Sequence, residues 1–130
     1  MAVVELRNIV KSYDGENVLR DLSFQTSDGE FFVLLGPSGA GKTTTLKVIA
    51  GLEDIDSGEV LFDGKPMNAV PTNQRPVGMT FESYALYPHF TVFENLANSL
   101  RAPGKKHPEP EIRGRVTNVA KMLKIDHLLD

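Results

Sequence analysis

The chain has 130 residues, with 17 acidic against 14 basic side chains, a formal net charge of -3 and no cysteine. Disulfides and thiolate metal sites are thereby excluded. A general nucleic-acid binder is also disfavoured, since it would carry a basic face; phosphate binding is not, because a loop of main-chain amides works through a local field.

The N-terminus lacks a basic segment followed by an apolar run, so no signal peptide is expected. No apolar stretch approaches the ~20 residues that span a bilayer. These features predict a cytoplasmic domain with no segment inserted in a membrane.

Residues 3–10 read as a strand, followed by a turn at Tyr13-Asp14-Gly15. Residues 18–26 alternate Leu22, Phe24 and Thr26 with polar neighbours, as a half-exposed strand does, and Ser27-Asp28-Gly29 reads as a second turn. Residues 31–35 form a continuous apolar run stopped by Gly36-Pro37, which predicts a strand buried on both faces of a parallel sheet. A helix is predicted over residues 42–50, with Leu46, Ile49 and Ala50 on its packed side and Gly51 as its stop.

A short strand is predicted over residues 59–62, and Asp63-Gly64 is the strongest hairpin signal in the chain. Another strand is expected over residues 77–81. Thr91 and Glu94 have the spacing of a capping box, opening a helix to about Leu100. The proline-rich stretch 101–110 reads as a linker. Ile112, Val116, Val119, Ala120 and Leu123 then recur at helical spacing. The order of elements is α/β with a small β layer attached.

Gly36-Pro37-Ser38-Gly39-Ala40-Gly41-Lys42-Thr43 matches the P-loop pattern G-x-x-x-x-G-K-[ST] at every fixed position. A triphosphate needs many donors converging on a small volume. Glycines let the backbone curl so that successive amides point inward. Lys42 can place an ammonium by the β- and γ-phosphates, the Thr43 hydroxyl suits a hard Mg²⁺ ion, and the helix N-terminus favours negative charge.

The P-loop alone leaves kinases, GTPases and many ATPases open. Three further blocks narrow the choice: Lys11-Ser12-Tyr13, AGLEDIDSGEVLFDG over residues 50–64, and VGMTFESYALYPHFTVFEN over residues 77–95. In this order and spacing they resemble the ATP-binding subunits of ABC transporters, particularly the sugar-import type. The resemblance covers residues 1–100 well and 101–130 more loosely.

The resemblance implies a partial P-loop NTPase core with an antiparallel β layer over residues 1–100. The start of a helical subdomain would follow over residues 101–130. It assigns Tyr13 to stacking on adenine, and Ser38, Thr43 and Thr44 to the phosphates and metal. Arg75 and residues 84–89 would lie where such subunits meet membrane partners. ATP and Mg²⁺ are the implied cofactors. A second ATPase subunit and transmembrane permease subunits are the implied partners, at the inner face of the cell membrane.

Two departures stand out. Glu82 occupies the position where the family has a Gln that ligates Mg²⁺ and holds the attacking water. A carboxylate can ligate the metal but, when ionised, donates no hydrogen bond. The family's signature motif, the acidic strand end beyond it and the switch histidine have no counterpart in these residues, so turnover by the 130 residues alone is not expected. Asp126 and Asp130 read as exposed helix-end residues, and His89, His107 and His127 as scattered surface groups. Rival readings are a P-loop kinase, with arginines at 101, 113 and 115 as the candidates for its lid, and a non-catalytic nucleotide-binding module.

Overall fold

The computed structural model describes residues 2–102 and 107–129. Residues 103–106 of the predicted linker and Asp130 lie outside the described residues. The chain forms two compact units, Met1–Met79 and Thr80–Asp130.

In the first unit, β1 (Val4–Tyr13) and β2 (Glu16–Gln25) form an antiparallel hairpin. The turn between them places Asp14 and Gly15 at φ 51° and 84°, the left-handed pair that matches strand twist. On its other edge β1 pairs with β3 (Ser57–Phe62), which turns through Asp63-Gly64 into β4 (Lys65–Pro66). The sheet order is β2-β1-β3-β4. Its inner face carries Leu6, Ile9, Leu19, Val60 and Phe62, and Val48 from helix α1 (Lys42–Ala50) packs against them.

Helix α1 has the predicted bounds, and of its expected packed side Ala50 is buried and Ile49 packs against the sheet core, while Leu46 does not. Thr45, Val48 and Ala50 are its buried residues, whereas Leu46 is 48% exposed. The helix leans on the antiparallel layer, and the Thr45–Val48 stripe is the one that meets it.

Two predicted strands are absent. Residues 31–35 run as irregular chain, with Phe31 93% and Leu35 89% exposed. Residues 77–81 are likewise irregular, and Val77 and Phe81 are exposed. A fully apolar strand is stable only when neighbouring strands satisfy both of its edges. Among the described residues no strand pairs with either segment. One anchor of the first segment is Phe32, whose ring stacks on Phe24 at 4.8 Å.

The second unit contains α2 (Val92–Asn98) and α3 (Glu109–Met122). The predicted capping box is present: the Glu94 amide donates to Thr91 Oγ1 at 3.1 Å, and the Thr91 amide donates to the Glu94 carboxylate at 2.8 Å. Ala97 packs against Ile112 and Val116. Ala120 is also buried, but Val119 and Leu123, expected on the same stripe, are exposed. α2 packs on α3 within the second unit.

Candidate nucleotide site

The glycine-rich loop lies in the first unit, between the exposed segment 31–35 and α1. Residues 36–40 are all exposed. A turn at Ser38-Gly39 is closed by the Ala40 amide donating to the Pro37 carbonyl at 3.2 Å. Gly41 is the N-cap of α1, at φ 80°, with no side-chain cap, and the first turn contains no acidic residue. The amides at the start of a helix have no intrahelical acceptor. Among the described residues no side chain caps them.

Gly41 meets two demands. It adopts a left-handed φ, and a Cβ there would stand 2.7 Å from Leu19 Cδ2 and 3.1 Å from the Val18 carbonyl oxygen. The loop is therefore pressed onto β2. Thr45 holds it from behind: its buried hydroxyl donates to the Gly41 carbonyl at 2.9 Å. Sequence reasoning passed over Thr45. The only available signal was the run of three threonines after Lys42, of which one must face inward at helical spacing.

The Lys42 ammonium is folded back over the loop. It donates to the carbonyls of Gly36 at 2.8 Å and Pro37 at 2.7 Å. Positive charge and helix-start amides thus converge on one side of the loop, an arrangement suited to a polyanion.

Tyr13, at the end of β1, is 38% exposed. Its phenol faces Glu53 and Thr44, and its pKa is pushed above the ordinary value, first by burial and then by Glu53. The aromatic ring thereby stands beside the first turn of α1. Lys11 Nζ lies 4.8 Å from the ring centroid. Behind the motif Ser12 is tied to Asp56, whose carboxylate accepts from the Ser12 amide at 2.7 Å and from its hydroxyl. A polar cleft next to the loop is lined by Glu16, Asn17, Arg20, Gly39 and Ala40. Asn17 and Arg20 carried no motif and were not foreseen.

Glu82 belongs to the second unit, exposed in a turn over residues 82–85, whereas Thr43 belongs to the first. The Arg75 guanidinium turns inward and donates to the carbonyls of Val48, Ile49 and Val70. Burial lowers its pKa, with nearby Asp54 opposing the shift.

Within residues 84–89, Tyr87 and His89 pack with Phe90, and Asn95 ties the main chain at Tyr87, Phe90 and Thr91. His107 pairs with Glu111 at 3.2 Å. Among the described residues no group of three or more His, Asp or Glu side chains gathers to hold a metal.

With this geometry in place, comparison with known proteins decides the family. The family profile described as ABC transporter matches residues 19–130. The chain belongs to that family.

Among curated relatives, this ABC transporter chain is 50% identical over 130 residues to the maltose/maltodextrin import ATP-binding protein MalK of Yersinia pestis. That alignment covers 100% of this chain and 35% of the relative. It is 44% identical over 128 residues to the spermidine/putrescine import ATP-binding protein PotA of Aggregatibacter actinomycetemcomitans, covering 98% of this chain and 34% of PotA. The chain thus spans about a third of the length of the curated relatives it matches.

Among solved structures, MJ1267, an ATP-binding cassette of an ABC transporter, aligns with a TM-score of 0.82 at 27% identity, over 100% of this chain and 57% of that one. The ATP-binding cassette MJ0796, a dimer bound to ADP and Pi, aligns with a TM-score of 0.80 at 27% identity, over 97% and 60%. The fold is therefore a partial α/β P-loop NTPase core with an attached antiparallel layer and helices. The P-loop kinase alternative falls with the family assignment.

The donor chemistry fits a Mg²⁺ ion at Thr43. Thr43 is an exposed residue in the first turn of α1, next to the glycine-rich loop. Mg²⁺ commonly takes one or two protein oxygens and completes its shell with phosphate and water.

Among the described residues no helix is long and apolar enough to cross a membrane.

Proposed function

We propose that these residues are the ATP-binding portion of an ABC-transporter ATPase subunit that powers solute import. The observation that carries this reading is the convergence of the Lys42 ammonium and the uncapped start of α1 on the loop of residues 36–43. Gly36, Ser38, Gly39, Ala40 and Gly41 would present main-chain amides to the phosphates, Pro37, which has no N–H, shapes the turn, Lys42 neutralises charge, and Thr44 stands in the first turn of α1 beside them. Tyr13, beside Thr44, offers a ring for the adenine; stacking on a base contributes ~1–3 kcal/mol.

Phosphoryl transfer depends on positioning and charge stabilisation more than on covalent chemistry. Thr43 and Glu82 would hold Mg²⁺, which supplies neutralising charge when bound. Glu82 in place of an amide adds negative charge at that position.

Residues 1–100 are read as the nucleotide core with its β layer, and residues 101–130 as the start of a helical subdomain. Turnover is assigned to the complete subunit, paired with a second copy and seated on permease subunits at the inner face of the membrane. The solute is read as a sugar, a reading supported by the higher identity to a maltose/maltodextrin importer than to a polyamine importer.

Titration calorimetry of the complete subunit with ATP and Mg²⁺ tests the core of the proposal. Lys42→Ala removes a charge-assisted contact of about 1.5–3 kcal/mol, which is ~10–100-fold in affinity. Wild-type affinity in a folded Lys42→Ala protein would sink the assignment.

A further inference from the structure

Helix α1 is anchored at both ends, and the second anchor lies away from the phosphates. At its C-terminal end Gly51 is at φ 75°, its amide donates to the Val48 carbonyl at 3.1 Å, and the Leu52 amide donates to Lys47 at 2.8 Å. The last carbonyls of a helix still lack partners after such a cap. Arg75 supplies them. One nitrogen of its guanidinium donates to Val48 O at 2.9 Å and Ile49 O at 3.0 Å, and its Nε donates to Val70 O at 3.0 Å.

The guanidinium lies flat against Gly51: a Cβ at that position would be 2.5 Å from Arg75 Nε and 2.6 Å from Cζ. Thr72 Oγ1 closes the same corner by donating to the Gly51 carbonyl. A positive group is also well placed at this end of the helix dipole.

We infer that Arg75 is a positioning residue for the phosphate loop, acting through α1. The helix has nine residues and is therefore only about 13 Å long. A rod that short transmits a shift at one end to the amides at the other. Sideways it rests on Thr45, Val48 and Ala50. Beside that packing, Arg75 and Thr72 hold its C-terminal end, and Arg75 alone of the two reaches the carbonyls of the last turn itself.

Loss of the guanidinium takes the donor from the Ile49 carbonyl, leaves the Val48 carbonyl with the Gly51 amide alone, and opens space beside Gly51. The helix start can then slide or tilt, and its amides no longer converge as well on a bound anion; in a rate, misplacement by about 1 Å costs on the order of 100-fold. A lysine reaches the same corner with its charge but cannot present a planar fork to three carbonyls.

This inference rests on the nucleotide-binding reading, and one experiment separates the two. Calorimetric titration of the complete subunit with ATP and Mg²⁺ gives affinity and stoichiometry independently. Arg75→Ala is expected to weaken ATP binding about ten-fold while the folded fraction keeps its full number of sites, and Arg75→Lys is expected to recover part of the loss. Gly51→Ala reaches the same end by another route, because its Cβ displaces the guanidinium, and it should weaken binding in the same direction.

A merely structural role would lower the stoichiometry, as molecules unfold, and leave the affinity of the remainder untouched. That result in Arg75→Lys and Gly51→Ala overturns the inference. Failure of the nucleotide reading has a different signature: Lys42→Ala would then bind ATP as wild type does.

Discussion

Gly41 and Leu19 touch in a way that allows no side chain between them: a Cβ on Gly41 would lie 2.7 Å from Leu19 Cδ2. The contact joins the phosphate loop to β2, so the loop's shape depends on a strand more than twenty residues earlier in the chain. Gly41→Ala would add left-handed backbone strain of about 1–2 kcal/mol and overpacking of about 1–3 kcal/mol. We expect a clear fall in melting temperature and loss of the ATP-induced stability shift. A variant that melted like wild type and still responded to ATP would show that the loop has room to move.

Thr45 is the buried hydroxyl behind the same loop. Thr45→Val keeps the volume and removes the bond to the Gly41 carbonyl, and should destabilise by about 1 kcal/mol. Thermal denaturation reads the cost. Nucleotide titration should show weaker binding as well, because the N-cap carbonyl is then held by the Thr45 amide alone.

Asp56 provides a pH-dependent contribution. Its carboxylate is held below the usual carboxylate pKa, chiefly by the Ser12 hydroxyl, with the Ser12 amide and Lys11 adding to the effect. A depressed folded-state pKa means that the stabilisation is present above the unfolded value and disappears as pH falls through the folded one. Ser12→Ala should raise the Asp56 titration midpoint, followed by NMR of the carboxyl carbon, and flatten the acid limb of the stability curve. An unmoved midpoint would remove Ser12 as the cause.

In the second unit the capping box stands on Thr91. Thr91→Ala should cost about 1 kcal/mol. Faster amide exchange should be confined to α2 and its partner α3, and exchange in β1 to β3 should stay unchanged. Uniform acceleration across both units would contradict that localisation.

Phe31 and Leu35 present large apolar side chains to solvent on an unpaired segment. Unpaired extended chain with apolar side chains is a template for association. The 130-residue chain studied alone is expected to elute as a mixture of oligomers in sizing chromatography, and Phe31→Lys with Leu35→Lys should shift it toward monomer. A sharp monomer peak for the unaltered chain would refute this.

Features written in neighbouring residues were readable from the chain alone. The helix at Lys42–Ala50, its glycine stop, the Asp63-Gly64 turn and the Thr91–Glu94 box each depend on partners a few positions apart. The P-loop is local in the same sense. Residues 31–35 and 77–81 misled for the opposite reason: their apolar runs state a need for neighbouring strands, and pairing is a long-range event that composition cannot supply.

Arg75 was likewise illegible. Two of its acceptors, Val48 and Ile49, lie 27 and 26 residues away, and no motif advertises a guanidinium that serves main-chain carbonyls. On α1 the expectation missed at Leu46, which is exposed, and at Thr45, whose buried hydroxyl is satisfied within its own helix.

Lys42 is the longest side chain in the loop and has the most rotamer freedom to lose. Its two bonds to Gly36 and Pro37 restrict that freedom while the chain folds. On the nucleotide-binding reading, an arriving polyphosphate would meet a cation already held at the loop, and would trade two neutral acceptors for charged ones without also having to immobilise a flexible tether.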